Sequence, residues 1–336
     1  MNLRTLAGVA ALIVTTALPA AAETVLRFNN FLPRTSFLFY GVLEPWAAAI
    51  GTATEGRVKV EFTATSLGAP PAQFDLVRDG IADMALSIAG YTPDRLKLVQ
   101  IAEMPFTGTG SEGTSVALWR VYEKYFAAAD EFKGVKLMGM LSSLPSHLYT
   151  LKGPITSLAD VKGLKVRVSG PVPGAVAEAI GAVPVGAPGV KVPEMLNSGV
   201  IDGTFFSHDG VVDTQTQDTI RYVTEFPKSL FNATFYVMIN PASWDKLSPE
   251  DQAAIWAVSG EAFGKTGGAA FDEFAAKALQ VLKDAGETIT PAAPELVAAV
   301  DAVGQKLRAD WIAGAAKERG VDGQAALDML NAELAK

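Results

Sequence analysis

The chain has 336 residues, and its 28 Lys and Arg against 36 Asp and Glu give a net charge of −8, with no cysteine. An apolar content of 49%, including 17 Phe, supports a large core and excludes global disorder. The acidic balance argues against a nucleic-acid partner, and the lack of cysteine removes disulfides, thiolate metal sites and cysteine nucleophiles.

Residues 1–22 carry Arg4 as their only charge, then an apolar run from Leu6 to Leu18, then Pro19 and three alanines. That pattern predicts a cleaved export signal, since the run is too short for the ~20 residues of a membrane span. It holds no cysteine for a lipid, so a periplasmic chain without a membrane anchor is expected. Val25–Phe28 is a short apolar strand. Leu38–Ile50 has helical spacing, with Trp46 and Ile50 four apart. Val58–Phe62 alternates apolar and charged residues and reads as a strand. A helix over Ala72–Arg78 is stopped by Gly80, and a strand over Ile81–Ile88 follows.

A second run repeats this order, with a strand at Leu164–Val168, helices at Gly174–Ile180 and Pro193–Asn197, and a strand at Val200–Phe206. In Leu76–Asp83 and in Leu196–Asp202 a helix ends at glycine, two apolar residues follow, and an aspartate opens the strand. The spacing differs by one residue, and any helix-to-strand loop favours such a glycine. Alternating strands and helices predict two α/β lobes with mostly parallel sheets. Ligands in such sheets sit beyond the carboxyl ends of the strands. That points to the stretches Asn29–Phe31, Ser87–Tyr91, Arg167–Ser169 and Phe205–Asp209.

Arg167 stands at a strand's carboxyl end, where a guanidinium can grip a carboxylate with two parallel hydrogen bonds. A solvated arginine is the plainer reading of the spacing alone. His147 and His208 are the only histidines, and both fall in predicted loops. Neither H-E-x-x-H nor H-x-H occurs, so no metal site and no cofactor is expected. No G-x-S-x-G or P-loop is present. Gly108–Gly113 matches G-x-G-x-x-G, but Glu103–Thr107 separates it from the preceding apolar stretch, so it reads as a loop capped by Ser111 or Thr114.

Five blocks in order carry a family resemblance: Ser66–Gly68 with Gly80–Met84, Asp160–Val168, Gly181–Val185, Met195–Gly203 and Trp244–Gln252. In them the sequence resembles the solute-binding proteins of tripartite ATP-independent periplasmic (TRAP) transporters. The resemblance implies a two-lobed α/β periplasmic binding protein fold with a hinge and long C-terminal helices. It places lobe I at 23–145 plus about 235–265. Lobe II, with the C-terminal helices, takes 146–234 plus about 266–336. The function implied is capture of an organic acid and its delivery to the membrane permease subunits of a TRAP transporter, with no enzymatic activity.

Arg167 matches the family's carboxylate-binding arginine. His147 stands where a second arginine often lies. Gly189 falls where many members carry an aromatic residue, and Phe205-Phe206 where some hold a metal through Glu-Trp. These departures argue against a double-arginine sugar-acid clamp and a metal-assisted site. One permanent cation with Phe206, His208, Tyr91, Phe31, Asn30 and Ser169 suits an aromatic or apolar monocarboxylate. A small branched hydroxy acid or a sugar acid is the alternative ligand. A periplasmic enzyme using His208 and Asp209 as a base pair is the alternative class.

Overall fold

A computed structural model describes residues 23–108 and 110–336, so the expected export signal lies outside the described residues. The first sheet contains β1 (Thr24–Asn29), β2 (Val58–Phe62), β3 (Met84–Ile88) and β4 (Lys136–Ser142). The second contains β5 (Ser146–Thr150), β6 (Lys165–Val168), β7 (Val183–Gly186), β8 (Gly203–Ser207) and β9 (Tyr222–Glu225). The chain then returns to the first sheet with β10 (Thr234–Ile239) and adds β11 (Thr288–Pro291) to the second. The strand orders are β2-β1-β3-β10-β4 and β11-β9-β5-β8-β6-β7.

The sheets are mixed rather than mostly parallel. β1, β2 and β3 run parallel, as do β6, β7 and β8, but β10 is antiparallel to β3 and β4, and β5 is antiparallel to β8 and β9. The chain path supplies the reason. β3 and β8 run toward the cleft, whereas β5 and β10 enter their sheets from the opposite lobe and start at it. A strand that begins at the cleft runs against those that end there.

The repeated motif has one geometry in both lobes. Gly80 and Gly199 adopt φ of +72° and +68°, which glycine tolerates without strain. The Asp83 carboxylate accepts the backbone N–H of Arg27 at 2.8 Å, and that of Asp202 accepts Lys165 N–H at 3.0 Å. Each aspartate thus pins the strand that neighbours its own.

The C-terminal helices are shared between the lobes, unlike their expected place in lobe II. In Glu261–Asp284, Phe263, Phe271, Phe274 and Ala278 belong to a first-lobe core, whereas Leu282 packs with Tyr149 and Val223 of the second. In Pro294–Arg319, Leu296 and Val300 pack with Val166 and Val176, whereas Ala315 packs with Phe126 and Trp119. Gly323–Leu334 adds Ala326 and Leu330 to that same first-lobe core. No helix among the described residues is long and apolar enough to cross a membrane.

Candidate functional site

A cavity of about 300 Å³ lies between the lobes, at the small end of the roughly 300–1,000 Å³ usual for small-ligand pockets. Lobe I contributes Phe31, Leu38, Ile88, Tyr91 and Phe235; lobe II contributes Ser146, Arg167, Ser169, Gly189, Phe206 and Asp209. Phe231, from the return connection, and Phe271, from a C-terminal helix, complete an apolar wall.

Alternation along β6 sends Val166 and Val168 into the lobe II core and Arg167 to the other face, where it pairs in register with Thr204 of β8. Two residues on, Phe206 shares that face. The Arg167 guanidinium lies 5.1 Å from the Phe206 ring centre, within cation–π range. Its Nε donates to Ala187 O at 2.8 Å. The side chain is 2% exposed and pairs with no carboxylate among the described residues. Burial lowers its pKa, opposed by the Tyr91 hydroxyl beside it, yet an arginine stays protonated at physiological pH. Gly189 lets this cluster form. A Cβ there would meet the Phe206 ring at 3.3 Å and Arg167 Nη2 at 3.6 Å.

Five residues named from the sequence line the cavity: Arg167, Phe206, Phe31, Tyr91 and Ser169. Three do not. Asn30 accepts the Leu32 N–H and donates to Leu32 O, which shapes the turn that presents Phe31. His147 is a residue of β5, not of a loop; it is buried, and its Nδ1 accepts the Phe226 N–H at 3.3 Å. His208 opens the helix His208–Asp213, 2.5 Å from the Tyr149 hydroxyl through Nδ1 and 3.3 Å from Glu225 through Nε2. The tautomer with the proton on Nε2 satisfies both contacts. Burial pushes His147 down to about 4, helped by His208 and opposed by Glu225, so it is neutral near pH 7. Ligand atoms of His147, His208 and Glu225 lie within 4.8 Å of one another, which makes them the donor set a metal ion would use. Metal-ligating histidines ordinarily donate their second ring N–H. Here the Nδ1 of His147 accepts instead.

Asp209, the last residue of the stretch that the sequence placed beyond a strand end but did not name as a ligand contact, also lines the cavity. It follows Phe206 by three residues, and its oxygen Oδ1 is buried without a partner among the described residues. Burial, then the neighbouring Asp213, raises its pKa to about 7, opposed by Ser207 and His208. The G-x-G-x-x-G stretch lies elsewhere. There the Ser111 and Glu112 N–H groups donate to the Asp272 carboxylate at 2.7 and 2.9 Å, and that carboxylate takes the place a phosphate would need.

Polar contacts join the lobes across the cleft. Asp213 accepts Ser36 Oγ–H at 2.7 Å and Phe37 N–H at 2.8 Å. The Tyr91 hydroxyl accepts the Gly189 N–H at 3.2 Å. Two lobes, each presenting strand carboxyl ends to a shared cavity with a buried cation, form the frame of a binding protein that closes on an anion. Residues 28–313 match the model of the bacterial extracellular solute-binding proteins, family 7. The chain belongs to the TRAP solute-binding protein family. It is 34% identical over its whole length to an "outer membrane transporter protein TsaT" of Comamonas testosteroni, 99% of which is covered. A TRAP periplasmic solute-binding protein of Bordetella bronchiseptica, solved with (R)- and (S)-mandelate, is similar at TM-score 0.90 and 35% identity, covering 93% of this chain and 99% of that one. A TRAP solute-binding protein of Rhodoferax ferrireducens T118, solved with copurified benzoate, is similar at TM-score 0.86 and 27% identity, covering 93% and 98%. The family is one of transport solute-binding proteins.

Proposed function

We propose that this TRAP solute-binding protein works in the periplasm, captures an aromatic or apolar monocarboxylate between its lobes and delivers it to the membrane subunits of a TRAP permease. The observation that carries the ligand class is Arg167, a buried guanidinium without a carboxylate partner among the described residues, in a cavity walled by Phe31, Phe206, Phe231, Phe235 and Phe271. Arg167 supplies one permanent positive charge, enough for one carboxylate. The aromatic walls suit a flat apolar body, and ring stacking on Phe206 adds ~0.5–1.5 kcal/mol beyond area burial. Mandelate and benzoate, bound by the two similar solved proteins, are acids of this kind. His147, neutral and outside the cavity wall, adds no second permanent charge.

The test is a thermal-shift panel of organic acids followed by calorimetry on the hits, with mass spectrometry of whatever copurifies. Benzoate-like acids are expected to bind more tightly than C4-dicarboxylates or sialic acid. A dicarboxylate or sugar acid as the only tight ligand would overturn the ligand class. Chemical conversion of the bound acid would overturn the binding-protein role.

A further inference from the structure

The cavity contains a second polar feature that a simple carboxylate leaves unanswered. Asp209 is 6% exposed and lines the same cavity as Arg167, yet the two form no ion pair. Its Oδ1 has no hydrogen-bond partner among the described residues. Leaving a buried acceptor unmatched is costly, so a ligand that supplies a donor there gains affinity over one that does not. Asp213, four residues on, is already satisfied by Ser36 and Phe37. Asp209 is therefore the carboxylate left to act on the ligand.

We propose that Asp209 selects the ligand by accepting a hydrogen bond from a hydroxyl group, so that the preferred ligand is a hydroxyl-bearing aromatic monocarboxylate, its carboxylate held by Arg167. This rests on the monocarboxylate reading above and sharpens it. An ammonium is the rival donor. It brings three N–H groups and needs three acceptors in a wall that is mostly aromatic. A hydroxyl needs one, which Oδ1 provides. Burial raises the Asp209 pKa to about 7, so its acceptor form is favoured above neutral pH. A purely structural role for this acid in the first turn of its short helix would shift all ligands together; a selecting role changes their ratio.

Calorimetry at pH 8 decides the matter with (R)- and (S)-mandelate against phenylacetate, 3-hydroxybenzoate against benzoate, and phenylglycine as the ammonium probe. The wild-type protein is expected to favour the hydroxyl-bearing member of at least one pair by roughly tenfold or more, since the lost bond involves a charged group. In Asp209→Ala that preference should fall below about threefold. Asp209→Asn keeps the shape and a weaker acceptor and should fall between the two, which carries the test if the alanine variant does not fold. Wild-type affinities within threefold in both pairs overturn the hydroxyl inference while leaving the monocarboxylate reading in place. So does an unchanged ratio in both variants, or tightest binding of phenylglycine. Failure of all these acids to bind overturns the underlying reading and this one with it.

Discussion

Arg167 is a fixed positive charge that folding has buried with no carboxylate partner among the described residues. Removing one partner of a buried ion pair costs about 3–5 kcal/mol, because the other charge is left alone. Arg167→Ala is therefore expected to weaken carboxylate binding on the order of a hundredfold to several thousandfold. Arg167→Lys keeps the charge but loses the planar fork, the bond to Ala187 and the stacking on Phe206, and should recover little. Calorimetry with benzoate checks both; near-native affinity in the alanine variant would remove Arg167 from the site. His147 acts on stability instead. Its pKa falls from an unfolded value of ~6.5 to about 4. Between those pH values the unfolded chain binds a proton that the folded chain refuses. Stability therefore rises with pH across this window and is lost as pH falls from about 6.5 to about 4, by up to roughly 3 kcal/mol. His147→Gln has no proton to take up, so its melting temperature should drop less than that of the wild-type protein between pH 6.5 and 4.5. An equally steep drop would assign the acid sensitivity to other groups.

At the scale of elements, the loops after β3 and β6 meet backbone to backbone. A Cβ on Gly90 would lie 2.7 Å from Ser169 O, and one on Gly170 would lie 2.8 Å from Gly90 Cα. No flexible side chain can yield there, so Gly90→Ala has to hold the lobes apart. Overpacking of this kind costs about 1–3 kcal/mol, or roughly tenfold in affinity. The expected result is a ligand-free melting temperature close to wild type with a much smaller ligand-induced shift. A full shift would show that these loops need not touch during binding. Which of these features the sequence reveals follows from burial. The alternation of Lys165–Val168 placed Arg167 on a polar face at a strand end, but spacing alone read it as solvated, and its carboxylate role came from the family resemblance. The histidines were not legible: every residue of Ser146–Thr150 is buried, so β5 has no polar face to mark which way His147 points. The glycine–aspartate motif looked like ordinary loop chemistry, and only the matching bonds to Arg27 and Lys165 reveal its common role. Asp209 fell in a stretch flagged for following a strand end, but nothing in the spacing singled it out within that stretch, because its side-chain direction is set by the six-residue helix His208–Asp213. The C-terminal helices were expected from the family resemblance, but their division between lobes depends on contacts far apart in sequence.

For the whole molecule, the two lobes are joined by short links and by helices with a foot in each core. The chain crosses between β4 and β5 through residues 143–145 and returns between β9 and β10 through residues 226–233. These links are themselves bonded together, with Ser143 N–H donating to Ala233 O at 2.8 Å and Asn232 Nδ2 donating to Ser143 O at 3.3 Å. A hinge between the lobes would pass through this paired crossing and through the two helices that span both cores. Among the described residues the lobes are joined across the cleft by polar contacts such as those of Asp213 with Ser36 and Phe37 and of Tyr91 with Gly189. Such contacts contribute only about 0.5–1.5 kcal/mol each, more where a charge takes part. They favour closure weakly on their own, and a ligand gripping Arg167 while touching the Phe31 wall adds the rest by mass action. A ligand at about 100 times its Kd should stabilise the protein by about 2.7 kcal/mol, a rise of roughly 5 °C in melting temperature. The radius of gyration in solution should fall on addition of the same ligand. Asp213→Ala removes one side of the latch and keeps Arg167, so it should show a larger ligand-free radius, weaker binding and the same final radius at saturation. A scattering curve that does not change between ligand-free and saturated wild-type protein would mean the lobes do not close on the ligand, and the cleft would have to be treated as a fixed cavity.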